Sequence, residues 1–118
     1  MQNLYDKAYE LARMIENDQI YLDLKEITAK VKKNSEQVKL IDKYQQLQLK
    51  LQEKQSQGIQ VSDEDLREVN DLYQKLISNP DIKKLFETEE RFSILISDIS
   101  KILTEPLVKI SSKNTNNQ

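Results

Sequence analysis

The chain of 118 residues contains no cysteine, no histidine and no tryptophan, and it has one glycine and two prolines. Without histidine and cysteine it lacks an imidazole base, a thiolate nucleophile, the usual zinc ligands and the thiolates that hold iron–sulfur clusters. Glycine and proline are too scarce for the tight turns that a sheet protein of this length would need. The composition therefore predicts an all-α protein and excludes most familiar enzyme classes.

The charges are nearly balanced, with 18 basic and 20 acidic residues and a formal net charge of −2. This balance does not favour nucleic acid or an anionic membrane as a partner. No apolar run reaches the roughly 18 residues of a membrane span, and the N-terminus lacks the apolar segment of a signal peptide. We therefore expect a cytoplasmic protein with no membrane partner.

Apolar residues recur every three or four positions along most of the chain, which is typical of amphipathic helices. Asn3 is the predicted N-cap of the first helix, with Asp6 three residues later. The pattern weakens at residues 16–18 and then continues from Tyr21 to about Lys33. This second stretch is either a separate helix or a kinked continuation of the first.

Asn34 and Ser35 are predicted to cap a long helix that runs to Gly58. Gly58, the only glycine, suits the residue just after a helix, where the backbone turns left-handed. Along this helix the apolar positions repeat at intervals of four, three and four, the spacing of a seam that packs along a partner helix. They are Leu40, Tyr44, Leu47 and Leu51.

Two further helix starts are marked by capping residues. Ser62 with Asp65 forms a capping box, and Asn79 followed by Pro80 combines an N-cap with proline at the first helical position. The helix from Pro80 is expected to reach about Leu103. Beyond it, Pro106 should break or kink the chain, residues 107–110 should form a short capping turn, and residues 111–118 should be a disordered tail.

These elements predict one domain, residues 1–110, built as an elongated bundle of about five helices. The two longest helices would measure about 33 and 36 Å, as long as a compact domain of this size is wide, about 35 Å. Such a shape leaves apolar surface uncovered, so we expect a homo-oligomer, a dimer or larger. The candidate interface residues are Leu40, Tyr44, Leu47, Leu51, Phe92, Leu95, Ile96, Ile99, Ile102 and Leu103.

Carboxylates are the remaining side chains that could support metal binding or acid–base chemistry. Most are better explained as caps and solvated surface, so the sequence predicts no metal, no cofactor and no catalytic residue. Glu89 is the exception, because it falls on the apolar side of the last long helix. If it is buried it needs an ion-pair partner, for which Arg67, Arg91 or a lysine are candidates.

One basic cluster supports an alternative function. Lys30, Lys32, Lys33 and Lys39 lie close together in the sequence and could form an RNA-binding patch. Against this, Tyr21 and Tyr44 do not interleave with the lysines, and acidic residues are near. RNA binding is therefore the alternative to a protein-interaction role.

Four segments in order, LYDKAYELA, LQLKLQEKQSQG, VSDEDLREVNDLYQKLISNPDIKKLF and EERFSILISDISKILTEPL, resemble the YheA branch of the YlbF/YmcA family. The resemblance spans nearly the whole chain. The Gln-Gly reversal, the Asn-Pro helix start and the closing Glu-Pro-Leu are its most specific features.

The resemblance implies a small, cytoplasmic, all-helical bacterial protein that self-associates and has no catalytic residues. Its characterised relatives YlbF and YmcA assemble with YaaT and modulate ribonuclease Y and mRNA maturation, whereas the YheA branch is largely uncharacterised. Those assemblies are associated with cysteine-bound iron–sulfur clusters, and this chain has no cysteine. The resemblance therefore implies a protein-interaction role, with RNA processing and competence as its setting, and it transfers no site residue.

Overall fold

The computed structural model describes residues 3–116, with side chains to residue 111, and all secondary structure in that range is helical. The predicted all-α fold is confirmed. Six helices follow one another, and they are α1 Leu4–Glu16, α2 Gln19–Lys32, α3 Ser35–Ser56, α4 Asp63–Ile77, α5 Pro80–Leu103 and α6 Glu105–Asn116.

The predicted N-caps are confirmed by hydrogen bonds at the helix starts. The side-chain oxygen of Asn3 accepts from the Asp6 N–H at 2.8 Å, and that of Ser62 accepts from the Asp65 N–H at 3.1 Å. Asn34 and Asn79 each accept from two backbone N–H groups, at distances between 2.9 and 3.2 Å. Each cap is worth about 1 kcal/mol because it satisfies donors that the helix leaves free.

α1 and α2 are separate helices, which settles the alternative that the sequence left open. The Asn17 side chain donates to the Arg13 carbonyl at 2.8 Å and so closes the end of α1. Asp18 then starts α2, since its carboxylate accepts from the Ile20 N–H at 2.9 Å. Two consecutive polar side chains therefore end one helix and begin the next.

α3 and α4 form a helical hairpin whose reversal depends on Gly58. Its φ is +74°, the left-handed conformation that favours glycine. The Ile59 N–H donates to the Lys54 carbonyl at 2.8 Å and the Gly58 N–H to the Gln55 carbonyl at 3.1 Å, the hydrogen bonds of a Schellman motif. The predicted role of this glycine is confirmed.

The hydrophobic core lies where α2, α3, α4 and α5 meet. α2 runs antiparallel to α5, because the Tyr21 and Phe92 rings are 6.0 Å apart at one end and Lys30 pairs with Asp81 at the other. Two small clusters fill the junction, and Ile41 and Phe86 pack against both. They consist of Ile27, Val31 and Leu85, and of Leu72, Leu76 and Ile82.

The molecule is a thin, open arrangement rather than a compact globule. It measures 51 × 40 × 18 Å, and its radius of gyration is 19.6 Å, against about 13 Å for a compact domain of this length. The predicted elongated bundle is therefore confirmed. Where the helices extend beyond this junction, their apolar side chains have few neighbours within the same chain.

The C-terminal region is more helical than expected. In place of a short turn and a tail from residue 111, α6 runs from Glu105 to Asn116, and residues 117 and 118 of the predicted tail lie outside the described residues. Pro106 is the second residue of α6, where a missing N–H costs no helical hydrogen bond. Pro106 therefore lies in the first turn of a new helix, α6, after α5 has ended.

Candidate interaction surfaces

The predicted seam on α3 is largely used within the chain. Leu40, Tyr44 and Leu47 pack against the cluster formed by Leu72, Leu76 and Ile82. Leu51, further along α3, is half-buried. Because α4 and α5 already contact this seam, little of it is left for a second copy.

The candidate interface residues on α5 divide by position along the helix. Phe92, Leu95, Ile96 and Ile99 are half-buried, and Phe92 contacts the Tyr21 ring on α2. Ile102 and Leu103, which lie beyond the reach of α2, are 64% and 65% exposed. The uncovered part of the stripe is therefore its C-terminal end.

This exposed apolar surface continues onto α6, which the sequence did not predict to be part of an interface. Leu107, Val108 and Ile110 are exposed like Ile102 and Leu103. We call these five residues the C-terminal face. The signal in the sequence was the continued apolar spacing across Pro106, which was instead assigned to a capping turn.

A second exposed apolar surface lies on α1. Leu4, Tyr5 and Tyr9 are all at least 66% exposed, and we call them the N-terminal face. α1 has no buried residue, although Leu11 and Ile15 are half-buried. An amphipathic helix with no buried side chain gains little from its own chain, since most helix stability in proteins comes from packing of the apolar side.

A cleft of about 440 Å³ opens between α3, α4 and α5. Three half-buried aromatic rings line it, from Tyr44, Tyr73 and Phe86, with centroids 5.7 to 6.2 Å apart and planes inclined by 12° to 37°. Gln48 Nε2 donates to the Tyr44 hydroxyl at 3.0 Å. Burial, and next the neighbouring Tyr73, raise the pKa of Tyr44.

Glu89 lies at the rim of this cleft. It is exposed rather than buried, and among residues 3–111 no basic side chain lies within ion-pair distance of its carboxylate. The partners considered for it, Arg67 and Arg91, do not pair with it. Partial loss of hydration nonetheless raises the pKa of Glu89. A carboxylate on the apolar side of α5 was correctly singled out, but the structure places it at a cleft instead of in an ion pair.

One lysine of the basic cluster is paired within the chain. Lys30 pairs with Asp81 across the α2–α5 contact at 3.2 Å, and Lys32 lies in the last turn of α2, where a cation opposes the helix dipole. Tyr21 and Tyr44 are engaged with Phe92 and the cleft. No aromatic ring therefore interleaves with these lysines in the part of the chain that the structure describes.

Within the described residues, no group of three or more histidine, cysteine or acidic side chains is arranged to hold a metal ion. Over the same residues, none of the helices combines the length and apolarity that crossing a bilayer requires. The features that stand out are thus the two exposed apolar faces and the aromatic cleft.

Comparison with known proteins identifies the family. Residues 4–108 match the family described as control of competence regulator ComK, YlbF/YmcA. The chain belongs to the YlbF/YmcA family. Among curated relatives, UPF0342 proteins of Alkalihalophilus pseudofirmus and Shouchella clausii are 37% and 34% identical over 110 residues, covering 93% of this chain and 93% of each relative.

Two solved structures have a similar fold. A protein of unknown function (DUF964) from Bacillus stearothermophilus has a TM-score of 0.80 at 21% identity, covering 93% of this chain and 96% of its own. YheA from Bacillus subtilis has a TM-score of 0.68 at 21% identity, covering 92% and 99%. The resemblance to the YheA branch is therefore confirmed.

Proposed function

We propose that this YlbF/YmcA protein is a non-enzymatic, self-associating adaptor that acts by presenting helix faces to other proteins. The observation that carries the proposal is the pair of exposed apolar faces at the two ends of the chain. Leu4 is 87% exposed on one and Leu103 is 65% exposed on the other. Large exposed apolar patches are uncommon on monomeric proteins and mark interaction sites.

The total surface supports self-association. The accessible area of the chain is 9766 Å², whereas a compact monomer of this mass exposes about 6,700 Å². The excess is about 3,100 Å² per chain, whereas a standard interface buries about 800 Å² of each partner. A second copy that covers the two faces would remove part of this excess.

The setting we propose is regulation of the competence type, with RNA processing as the process served. The support is the family's description, which refers to control of the competence regulator ComK. An adaptor needs no catalytic group, and this chain has no histidine or cysteine. Its contribution would be to join partners through helix surfaces that its own core leaves open.

Sedimentation of the full chain tests the proposal. We expect a dimer or larger species for the natural chain, and a monomer when Leu103 and Leu107 are both replaced by lysine. Leu49→Lys is the matched control, because Leu49 is also exposed, at 56%, but lies on α3 outside both faces. Helix content by circular dichroism should be the same in all three.

A natural chain that stays monomeric at tens of micromolar with intact helices would overturn self-association. Dissociation by Leu49→Lys, with no effect of the double substitution, would place the interface elsewhere and overturn the role of the C-terminal face.

A further inference from the structure

The cleft between α3, α4 and α5 has aromatic rings and carboxylates in its lining, although Tyr44 and Phe86 also pack against the core. Its walls carry the three aromatic rings of Tyr44, Tyr73 and Phe86, none of them fully buried. Its volume of about 440 Å³ lies within the range of ligand pockets, about 300–1,000 Å³. Aromatic rings that line a cleft of this size can contact a bound ligand.

The charges around the cleft indicate the chemical class of such a ligand. Glu87, Glu89 and Glu90 line it against a single cation, Lys83. None of the four takes part in an ion pair within the described residues. Three carboxylates without an ion-pair partner, beside aromatic rings that line the same cleft, are complementary to a positive group and repel an anionic one.

We propose that this cleft binds an arginine side chain of a partner protein, with the guanidinium against the aromatic rings and paired with the Glu89 and Glu90 carboxylates. Guanidinium suits both parts of the site. It stacks on aromatic faces, and its planar set of donors matches a carboxylate in two parallel hydrogen bonds. A lysine ammonium would satisfy the charge without the planar stacking.

The chain does not supply this arginine itself. Arg91 does not line this cleft but a neighbouring groove, which shares Lys83 and Glu87 with the cleft and is also lined by Asp23, Pro80, Lys84 and Thr88. Among the described residues, Lys83 is the only basic residue at the aromatic cleft, and it is not within ion-pair distance of any of the three glutamates. The cleft is therefore open to a group from outside.

This inference deepens the proposed function, because it names the chemistry of the partner that an adaptor would hold. The cleft is separate from the N-terminal and C-terminal faces. Arginine binding and self-association can therefore fail independently, and each is measured by its own experiment.

The test is an NMR titration of the isotope-labelled full chain with arginine capped by acetyl and methylamide groups, at millimolar concentrations. Capped citrulline, which has the same shape without the charge, is the matched ligand control. We expect saturable shifts at the Gln48 side-chain amide and along residues 86–90. Binding of citrulline should be about tenfold weaker, since charge-assisted hydrogen bonds to carboxylates are lost.

Variants assign the binding to the cleft. Glu89→Gln combined with Glu90→Gln should weaken binding of capped arginine about tenfold, and Tyr73→Leu should weaken it severalfold. Glu68→Gln, an exposed position on α4 outside the cleft, should bind like the natural chain. The Leu103→Lys, Leu107→Lys double variant should also bind normally, whatever its oligomeric state.

Three results would overturn the proposal. They are the absence of saturable shifts, equal binding of citrulline, and shifts that persist in the Glu89 and Glu90 variant. A fourth result would be a change of the cleft signals with protein concentration alone that Arg91→Ala abolishes. The cleft would then be occupied by Arg91 of a second copy of this chain.

Discussion

Lys54 Nζ and Asp65 Oδ2 lie 2.7 Å apart, although eleven residues separate them in the sequence. The pair joins the last turn of α3 to the first turn of α4 and so closes the hairpin around Gly58. Both side chains are less than one-third exposed, at 29% and 27%. The contact shows that Asp65 serves two purposes, since it also belongs to the N-terminal cap of α4.

The first prediction concerns the pH dependence that this pair produces. The hydrogen bond from Lys54, and next those from Ser62, lower the pKa of Asp65 below its usual value. A carboxyl whose pKa is lower in the folded state stabilises the fold above its unfolded pKa and loses that contribution as pH falls through the folded pKa. We expect Asp65→Asn to lower the free energy of unfolding, measured by urea denaturation. This loss should be largest at neutral pH and should vanish in acid. Parallel pH curves for the two chains would contradict this.

The second prediction concerns Gly58. Its φ of +74° is costly for a residue with a Cβ, although an added Cβ would have no atom within 4 Å. Gly58→Ala should therefore lower the free energy of unfolding by about 1 kcal/mol through backbone strain alone. Gly58→Asn should cost less, because asparagine tolerates this conformation better. Equal stability of glycine and alanine, measured by denaturant unfolding, would show that the Schellman turn is not maintained.

The third prediction concerns Glu89. Loss of hydration raises its pKa, so the folded chain binds its proton more tightly than the unfolded chain does. The charged carboxylate therefore costs stability at neutral pH, and this cost disappears as pH falls below the unfolded pKa. We expect Glu89→Gln to raise the melting temperature slightly at pH 7 and to have no effect in acid. A lower melting temperature at pH 7 would show that the carboxylate has a stabilising partner.

The fourth prediction concerns the small core. Leu76 is 1% exposed and packs with Leu72 and Ile82. Leu76→Ala should cost about 2–5 kcal/mol of unfolding free energy, because it removes apolar contacts and leaves a cavity. Leu66→Ala is the matched control, since Leu66 lies on the same helix but is 53% exposed. Similar losses for both variants would indicate that α4 buries a different side.

The fifth prediction concerns RNA binding, the alternative function that the basic cluster around Lys30 suggests. Lys30 is paired with Asp81, and the net charge is −2. We therefore expect flat titrations of the chain with single-stranded RNA at low salt. Affinity that falls steeply with added salt, and that is lost on replacing Lys32, Lys33 and Lys39 by glutamine, would revive that function.

Local sequence signals predicted most of the helix boundaries. Asn3, Asn34, Ser62 and Asn79 act over three residues or fewer, so the sequence around each is enough to identify it. Pro106 was the ambiguous case. Proline is compatible both with the end of a helix and with its first turn, and the choice depends on whether the following residues continue as helix.

Apolar spacing predicted which helix sides avoid water but not what covers them. Leu40, Tyr44 and Leu47, named together with part of the α5 stripe as candidates for contact with a second copy, pack against a cluster from α4 and α5. The two exposed apolar faces lie on α1, and on α6 with the C-terminal end of α5. Periodicity reports that a side chain favours burial, whereas the identity of its neighbour depends on how distant helices meet.

The sequence by itself determined that the chain is helical, where four of its six helices start, where it reverses at Gly58, and that histidine and cysteine chemistry is absent. Those properties follow from side chains that act on their immediate neighbours. The tertiary structure alone decided that Tyr44, Tyr73 and Phe86 share a cleft with Glu89, because these residues come from three helices. It also decided that the N-terminal and C-terminal faces stay exposed, since the four helices that meet at the core leave α1 and α6 outside it.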